Sequence, residues 1–196
     1  MSGYVVRHQD LFLGSNPVRA VASGLAPKSV DVVIPAYEEA PGVTRDVERA
    51  VAQSRLGHPI VIEGVPDKGT ALARGLELVT TAQVAFLDAD LLGLRSDHVD
   101  CLLSQDPDAM TIGLISGPSL ISGERVMPTW LARATPLEGA GYAAEGRLFR
   151  AAIRHGVPIR YVPLGGIHHR TTAEKRRPLS LHARRLGGIV RGFSGL

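Results

Sequence analysis

Val84–Leu94 reads VAFLDADLLGL, an apolar run of strand length that ends on two aspartates with one alanine between them. Side chains two apart on a strand share a face and stand roughly 7 Å from one another. Val84, Phe86, Asp88 and Asp90 are therefore expected on one side, and Ala85, Leu87 and Ala89 on the other. Such a strand is buried through Phe86 and presents both carboxylates at its carboxyl end. Two like charges that close oppose each other's ionisation unless a positive charge sits beside them. A divalent cation that also binds substrate phosphates meets that need, since Mg²⁺ commonly takes one or two carboxylates plus phosphate oxygens. The residues alone leave a second reading open, in which Asp88 and Asp90 cap the turn after the strand.

Working outward, strands and helices alternate. VDVVIPA (Val30–Ala36) is a continuous apolar run, as expected where helices cover both faces of a parallel sheet. Val43, Val47, Ala50, Val51 and Ser54 then recur at helical spacing, with Arg45, Asp46, Glu48 and Arg49 on the other side. PIVIE reads as the next strand. GTALARGLELV reads as a helix with Leu72, Gly75, Leu76 and Val79 inward and Thr70 as its N-cap. AMTIGLI is a further strand, Gly141 to His155 a helix, and IRYVP the last strand. Near the N-terminus, YVV suggests a short strand and NPVRAVASGLAPK a short helix. The pattern predicts an open α/β sheet, mostly parallel and flanked by helices, whose ligands lie outside the carboxyl ends of the strands.

The 196 residues suit one domain, with residues 1–29 as an N-terminal extension and 171–196 as a basic C-terminal tail. A hydrophobic content of 44% and a charged content of 21% belong to an ordinary globular chain. The lone Cys101 excludes an intramolecular disulfide, which makes a reducing cytoplasm the expected location. No secretory signal is expected from MSGYVVRHQDLFLG, and no apolar run nears the ~20 residues that span a bilayer. Net charge is +3, yet from His168 onward seven Lys and Arg residues face one acid, Glu174. That asymmetry points to an anionic partner or to a solvated tail. Leu179, Leu186, Val190 and Phe193, beside Arg184, Arg185 and Arg191, fall near the spacing of a basic amphipathic helix. A helix of that kind lies at an anionic membrane surface; a frayed end or a homodimer contact fits equally well. No nucleic-acid partner is expected.

Two side chains stand out for chemistry. Lys68 and Gly69 precede a helix, whose N-terminal N–H groups suit phosphate. Gly69 lets the backbone come close, and Lys68 adds a point charge. Glu145 falls within the apolar stripe Tyr142, Leu148, Phe149, Ala152 and Ile153, where an acid is costly unless paired or used. An internal ion pair with Arg125 or Arg133 is one explanation and catalysis the other.

In order, VIPAYEEA, DKGTALARGLEL, VAFLDADL, ISGERVM and LEGAGYAAEGRLF resemble the family 2 glycosyltransferases of the GT-A fold, over roughly residues 30–175. The resemblance implies an inverting transfer of sugar from a nucleotide-sugar donor, with Mg²⁺ or Mn²⁺ on its diphosphate, to an acceptor that is lipid-linked or phosphate-bearing. It places Pro35, Ala36, Tyr37 and Glu39 beside the nucleotide, Lys68 and Gly69 on its phosphates, and Asp88 near the ribose and the metal. Asp90 becomes the metal ligand, joined by a histidine of GGIHHR. His168 and His169 point opposite ways in an extended segment, and the reading favours His168. Glu145 becomes the group that orients or deprotonates the acceptor, and Arg125 and Arg170 the phosphate or acceptor contacts. The chain departs from the family at Glu38, where asparagine is usual. It also lacks the Asp-Asp-Gly-Ser segment that ends the family's second strand, and runs short by about one strand and one helix, against ~30 residues for a βαβ unit. Glu63 and Asp67 are the nearest substitutes for the base-recognising aspartate. Two alternatives stay open: a nucleotidyltransferase of related fold, and a non-catalytic domain without a complete donor pocket.

Overall fold

The computed structural model describes residues 4–7, 29–37, 39, 41–115 and 122–170. In chain order they form β1 (Tyr4–Arg7), β2 (Val30–Ala36), α1 (Pro41–Gln53), β3 (Gly57–Glu63), α2 (Lys68–Leu78) and β4 (Gln83–Phe86). There follow β5 (Leu91–Leu92), α3 (Ser96–Leu103), β6 (Met110–Leu114), β7 (Arg125–Pro128) and α4 (Thr129–Arg133). A 3-10 turn (Gly141–Ala143), α5 (Ala144–Arg154), β8 (Ile159–Pro163) and β9 (His168–His169) complete the set. Both the short helix expected near residues 16–28 and the basic amphipathic helix of the tail lie outside the described residues.

Seven strands form one sheet in the order β1-β3-β2-β4-β7-β6-β8, and β5 pairs with β9 in a two-stranded clip. Only β7 runs antiparallel to its neighbours in the large sheet. This is the mostly parallel α/β architecture that the alternating runs predict. The apolar runs are buried on both faces because each face carries helices. Val33, Ile60, Ile62, Val84 and Phe86 pack with Leu72 and Leu76 of α2 and Leu148 of α5. Val32, Ile34, Val61, Ala85 and Leu87 pack with Val47 and Val51 of α1 and Val99 of α3. Each larger side chain so buried contributes on the order of 1.5–3 kcal/mol. Among the described residues no helix is long and apolar enough to cross a membrane.

The edge of the sheet explains the short spacing in the sequence. The position beyond β3 is taken by β1, which precedes β2 in the chain and pairs with β3 in parallel, from Tyr4 opposite Ile60 to Arg7 opposite Glu63. From β2 the chain steps to β3 on one side and then, through α2, to β4 on the other. A crevice opens at such a reversal, outside the carboxyl ends of β2 and β4.

At the opposite end of the sheet, buried Asp31 pins the link into β4. Its Oδ2 accepts the backbone N–H groups of Thr80 and Thr81 at 2.7 and 3.1 Å, and its Oδ1 lies 3.2 Å from His58 Nδ1. Burial alone would raise this carboxyl, but the hydrogen bonds from His58, Thr80 and Thr81 outweigh it and hold the group below the usual range.

Several local expectations need correction. Asp67, not Thr70, caps α2: its Oδ1 accepts from Thr70 N at 2.7 Å and Thr70 Oγ1 at 2.9 Å. Ile153, expected inward, is 51% exposed, because α5 turns its apolar stripe through Leu148, Ala151 and Ala152 instead. β4 also ends sooner than its apolar pattern suggests. Leu87 N still donates to Val33 O, but Asp88 to Asp90 lie in the turn beyond.

Candidate active site

The crevice is bordered by Pro35 at the end of β2 and Tyr37 and Glu39 just beyond it, by Lys68 at the start of α2, and by Asp88 and Asp90 after β4. Ala36 lies buried behind this wall rather than on it. Gly69 is buried too, and the reason is close packing. A Cβ there would come within 2.2 Å of Leu137 O and 2.9 Å of Ala140 N, so only glycine lets α2 seat against the segment leading into α5. That contact fixes where Lys68 stands.

Because Asp88 and Asp90 sit in a turn, they do not share a strand face as the period-two reading expects. Asp88 turns to α2, where its Oδ1 is 2.5 Å from Lys68 Nζ. The same Nζ is 2.5 Å from Glu145 Oε1. Lys68 thus joins the strand-end acid to the acid within the stripe of α5, and all three side chains are mostly buried. Burial would pull the Lys68 ammonium down, but the charges of Asp88 and Glu145 outweigh it and push the group well above its ordinary value. Glu145 therefore finds its partner in Lys68, not in Arg125 or Arg133. Arg133 instead donates to Val79 O and Leu76 O at the end of α2.

Asp90 turns the other way. Its Oδ1 lies 3.1 Å from His169 Nδ1. The β5–β9 clip sets this pair, with Leu91 opposite His169 and Leu92 opposite His168, and Arg170 N donating to Asp90 O. The structure accordingly brings His169 to the acids and leaves His168, favoured from the sequence, exposed on the other side of a two-residue strand. Burial opposes the charge on His169, but the hydrogen bond to Asp90 and the charges of Asp88, Glu124 and Asp90 prevail, pushing its pKa up to about 9.

Two residues of SGER go deeper than expected. Arg125 is fully buried, donating from one terminal nitrogen to Glu145 O at 3.1 Å and from the other to Ser122 O. It cannot meet a phosphate in solvent, so its assignment to phosphate or acceptor is withdrawn. Its charge instead lies beneath Asp88, Glu124 and Glu145, while burial lowers its own pKa. Glu124 is equally buried and was not anticipated. Its Oε2 accepts from Ser122 Oγ, while burial and then the Asp88 charge push the carboxyl up. A sequence signal did exist: two adjacent charges opening the run RVMP, which the sheet buries completely.

Of the residues proposed as substitutes for a base-recognising acid, Asp67 is spent on the helix cap and Glu63 ends β3; neither borders the crevice.

A divalent cation fits this corner. Asp88, Glu124 and His169 each offer one ligand atom, and the three lie within 4.8 Å of one another. Ligands about an ion at ~2.1 Å are at most about 4.2 Å apart, so the cluster needs only a small contraction. Without a metal the acids are balanced by Lys68 and His169; to ligate, His169 would give up a ring proton, so a metal would replace its charge and share the carboxylates with Lys68.

No protein-family model matches the sequence, and no curated protein matches it either. Solved structures do. Glucosyl-3-phosphoglycerate synthase from Mycobacterium tuberculosis in complex with Mn²⁺, UDP and glucosyl-3-phosphoglycerate matches with a TM-score of 0.68 at 20% identity, over 84% of this chain and 78% of that one. The same enzyme with Mn²⁺ and UDP-glucose gives 0.68 at 20% identity, over 86% and 80%. With Mg²⁺ and UDP it gives 0.66 at 19% identity, over 84% and 78%. The chain has the GT-A fold.

Proposed function

We propose that this GT-A chain is a metal-dependent glycosyltransferase that takes a sugar from a nucleotide donor and inverts its anomeric centre. The observation that carries the reading is the meeting of Lys68 and Asp88, which border the crevice between β2 and β4, with Glu145 buried against the same ammonium. A lysine at a helix N-terminus suits a diphosphate, and an acid beside it suits an acceptor. The solved relatives of this fold bind UDP-glucose with Mn²⁺ and, in further complexes, phosphoglyceric acid or glycerol 3-phosphate. They support UDP-sugar as the first donor to try and a phosphate-bearing hydroxyl compound as the first acceptor.

In this reading Pro35, Tyr37 and Glu39 border the nucleoside. Lys68 faces the diphosphate, held in place because Gly69 lets α2 seat against the segment before α5. Asp88 and His169 hold the Mg²⁺ or Mn²⁺ ion, and Asp90 sets the His169 ring through the hydrogen bond at Nδ1. Bound there, the ion supplies Lewis-acid stabilisation of charge on the departing nucleotide. As the diphosphate enters, Lys68 exchanges part of its contact with Asp88 and Glu145 for phosphate oxygens. Glu145, relieved of one strong partner, accepts the proton of the attacking hydroxyl or orients it. Arg125 keeps the acidic corner charge-balanced from below, and Arg170, anchored through its N–H to Asp90 O, is the remaining arginine for an acceptor phosphate at the rim.

Calorimetry with UDP-, GDP- and dTDP-sugars, with and without Mn²⁺, tests the donor half. Binding of at least one sugar nucleotide, tighter with Mn²⁺ and weakened at least tenfold by Asp90→Ala, is the expected result. No binding by any of the three refutes it and leaves a non-catalytic domain.

A further inference from the structure

We propose that Glu124 is a third protein ligand of the divalent ion, so that this chain holds its metal before any nucleotide arrives. The inference deepens the reading above and rests on it for the ion's purpose, though not for the ion's binding. Ordinarily Mg²⁺ in phosphate-handling sites takes one or two carboxylates and completes its shell with water and substrate phosphates. Here a second carboxylate, beside Asp88, has been brought in from the segment that enters β7.

Three features set Glu124 apart from an incidental acid. It is wholly inaccessible, at 0% exposure. Its Oε2 is satisfied by Ser122 Oγ, while its Oε1, also buried, has no hydrogen-bond partner. That same Oε1 is 3.8 Å from His169 Nε2, so the orphaned atom is turned toward the cluster. A buried carboxylate oxygen without a hydrogen bond is costly, and the charges of His169 and Lys68 offset that cost only in part, since the carboxyl still lies above its ordinary value.

The backbone next to it is shaped for the same purpose. Gly123 lies directly under the Asp88 carboxylate, and a Cβ there would fall 2.6 Å from Asp88 Oδ2 and 2.7 Å from Oδ1. Glycine at this position lets two carboxylates, Asp88 and Glu124, come together where any side chain would part them. Two acids and one imidazole then converge from the β4 turn, the start of β7 and β9. An ion so held has three protein ligands and net charge near zero, and so has less need of a diphosphate to stay. The imidazole among the oxygens also favours Mn²⁺ over Mg²⁺.

The test is Mn²⁺ alone, added to the full chain after chelator treatment and followed by the loss of the free-ion electron paramagnetic resonance signal. Wild type is expected to take up one Mn²⁺ without nucleotide, and Glu124→Gln to bind it at least tenfold more weakly. Thermal unfolding of Glu124→Gln in chelator should match or exceed wild type, since the swap removes a buried charge facing Asp88. Should that variant not fold, Gly123→Ala replaces it: displacing Asp88 from Glu124 must weaken nucleotide-free Mn²⁺ binding by a similar factor. Equal Mn²⁺ affinity in wild type and the folded variant overturns the proposal, as does a wild type that takes up Mn²⁺ only when UDP is present. Mn²⁺ uptake as described, with no sugar nucleotide bound, keeps the metal site and refutes the glycosyltransferase reading alone.

Discussion

Replacing Lys68 by Met tests the electrostatics of the crevice most directly. Lys68 Nζ is 2.5 Å from both Asp88 and Glu145, with the three side chains 14%, 17% and 8% exposed. Removing one partner of a buried ion pair costs about 3–5 kcal/mol, because the remaining charge is left uncompensated. In Lys68→Met two carboxylates are stranded, so the upper half of that range applies to the metal-free protein. At ~2–4 °C per kcal/mol for a chain of this size, Tm should fall by roughly 8–20 °C. Urea denaturation in chelator, followed by circular dichroism, gives the value. Adding Glu145→Gln removes one stranded charge, so the double variant should be more stable than the sum of single effects by about 1–2 kcal/mol. A cost for Lys68→Met below 1 kcal/mol, or strict additivity with Glu145→Gln, refutes the idea that this ammonium neutralises both acids.

Gly69→Ala should cost about 1–3 kcal/mol, the usual penalty of overpacking, since its Cβ meets backbone rather than a yielding side chain. It should also weaken sugar-nucleotide binding by shifting Lys68; calorimetry and urea titration on the same sample check both. Asp31→Ala, at the far end of the sheet, leaves the N–H groups of Thr80 and Thr81 without their acceptor and should cost about 2–4 kcal/mol at pH 7, with donor binding unchanged. Because the folded Asp31 carboxyl lies below its unfolded value of ~3.9, its contribution is full above that pH and fades as pH falls through the folded value. The stability gap between wild type and Asp31→Ala should therefore narrow below about pH 4; a gap of undiminished size in acid contradicts the assignment.

Long apolar runs were readable because burial on both faces leaves a strong mark. VDVVIPA is β2 to the residue and is buried along it; IRYVP is β8 to the residue too, although that strand is largely exposed. The antiparallel β7 left less: four residues, RVMP, whose role depends on pairing with β4 and β6 far along the chain. The position of β1 beyond β3 is likewise a matter of tertiary pairing, with no local signature. At the site, Lys68 and Glu145 were recognisable one at a time, by helix start and by polarity within an apolar stripe. Their contact across 77 positions was not. His168 and His169 are alike as residue types, and only the register of β9 against Leu91 and Leu92 tells them apart. Glu124 escaped notice because a buried acid at a strand start looks, in sequence, like any solvated charge.

The placement of β1 bears on how this molecule keeps to itself. Were Tyr4–Arg7 absent, β3 would become the border of the sheet, presenting unpaired backbone N–H and C=O groups along a row that includes the nearly inaccessible Ile60, Val61 and Ile62. A bare, apolar border of that length invites a strand from another molecule. Tyr4–Arg7 thus act as a selvedge, and removing them endangers solubility before it touches chemistry.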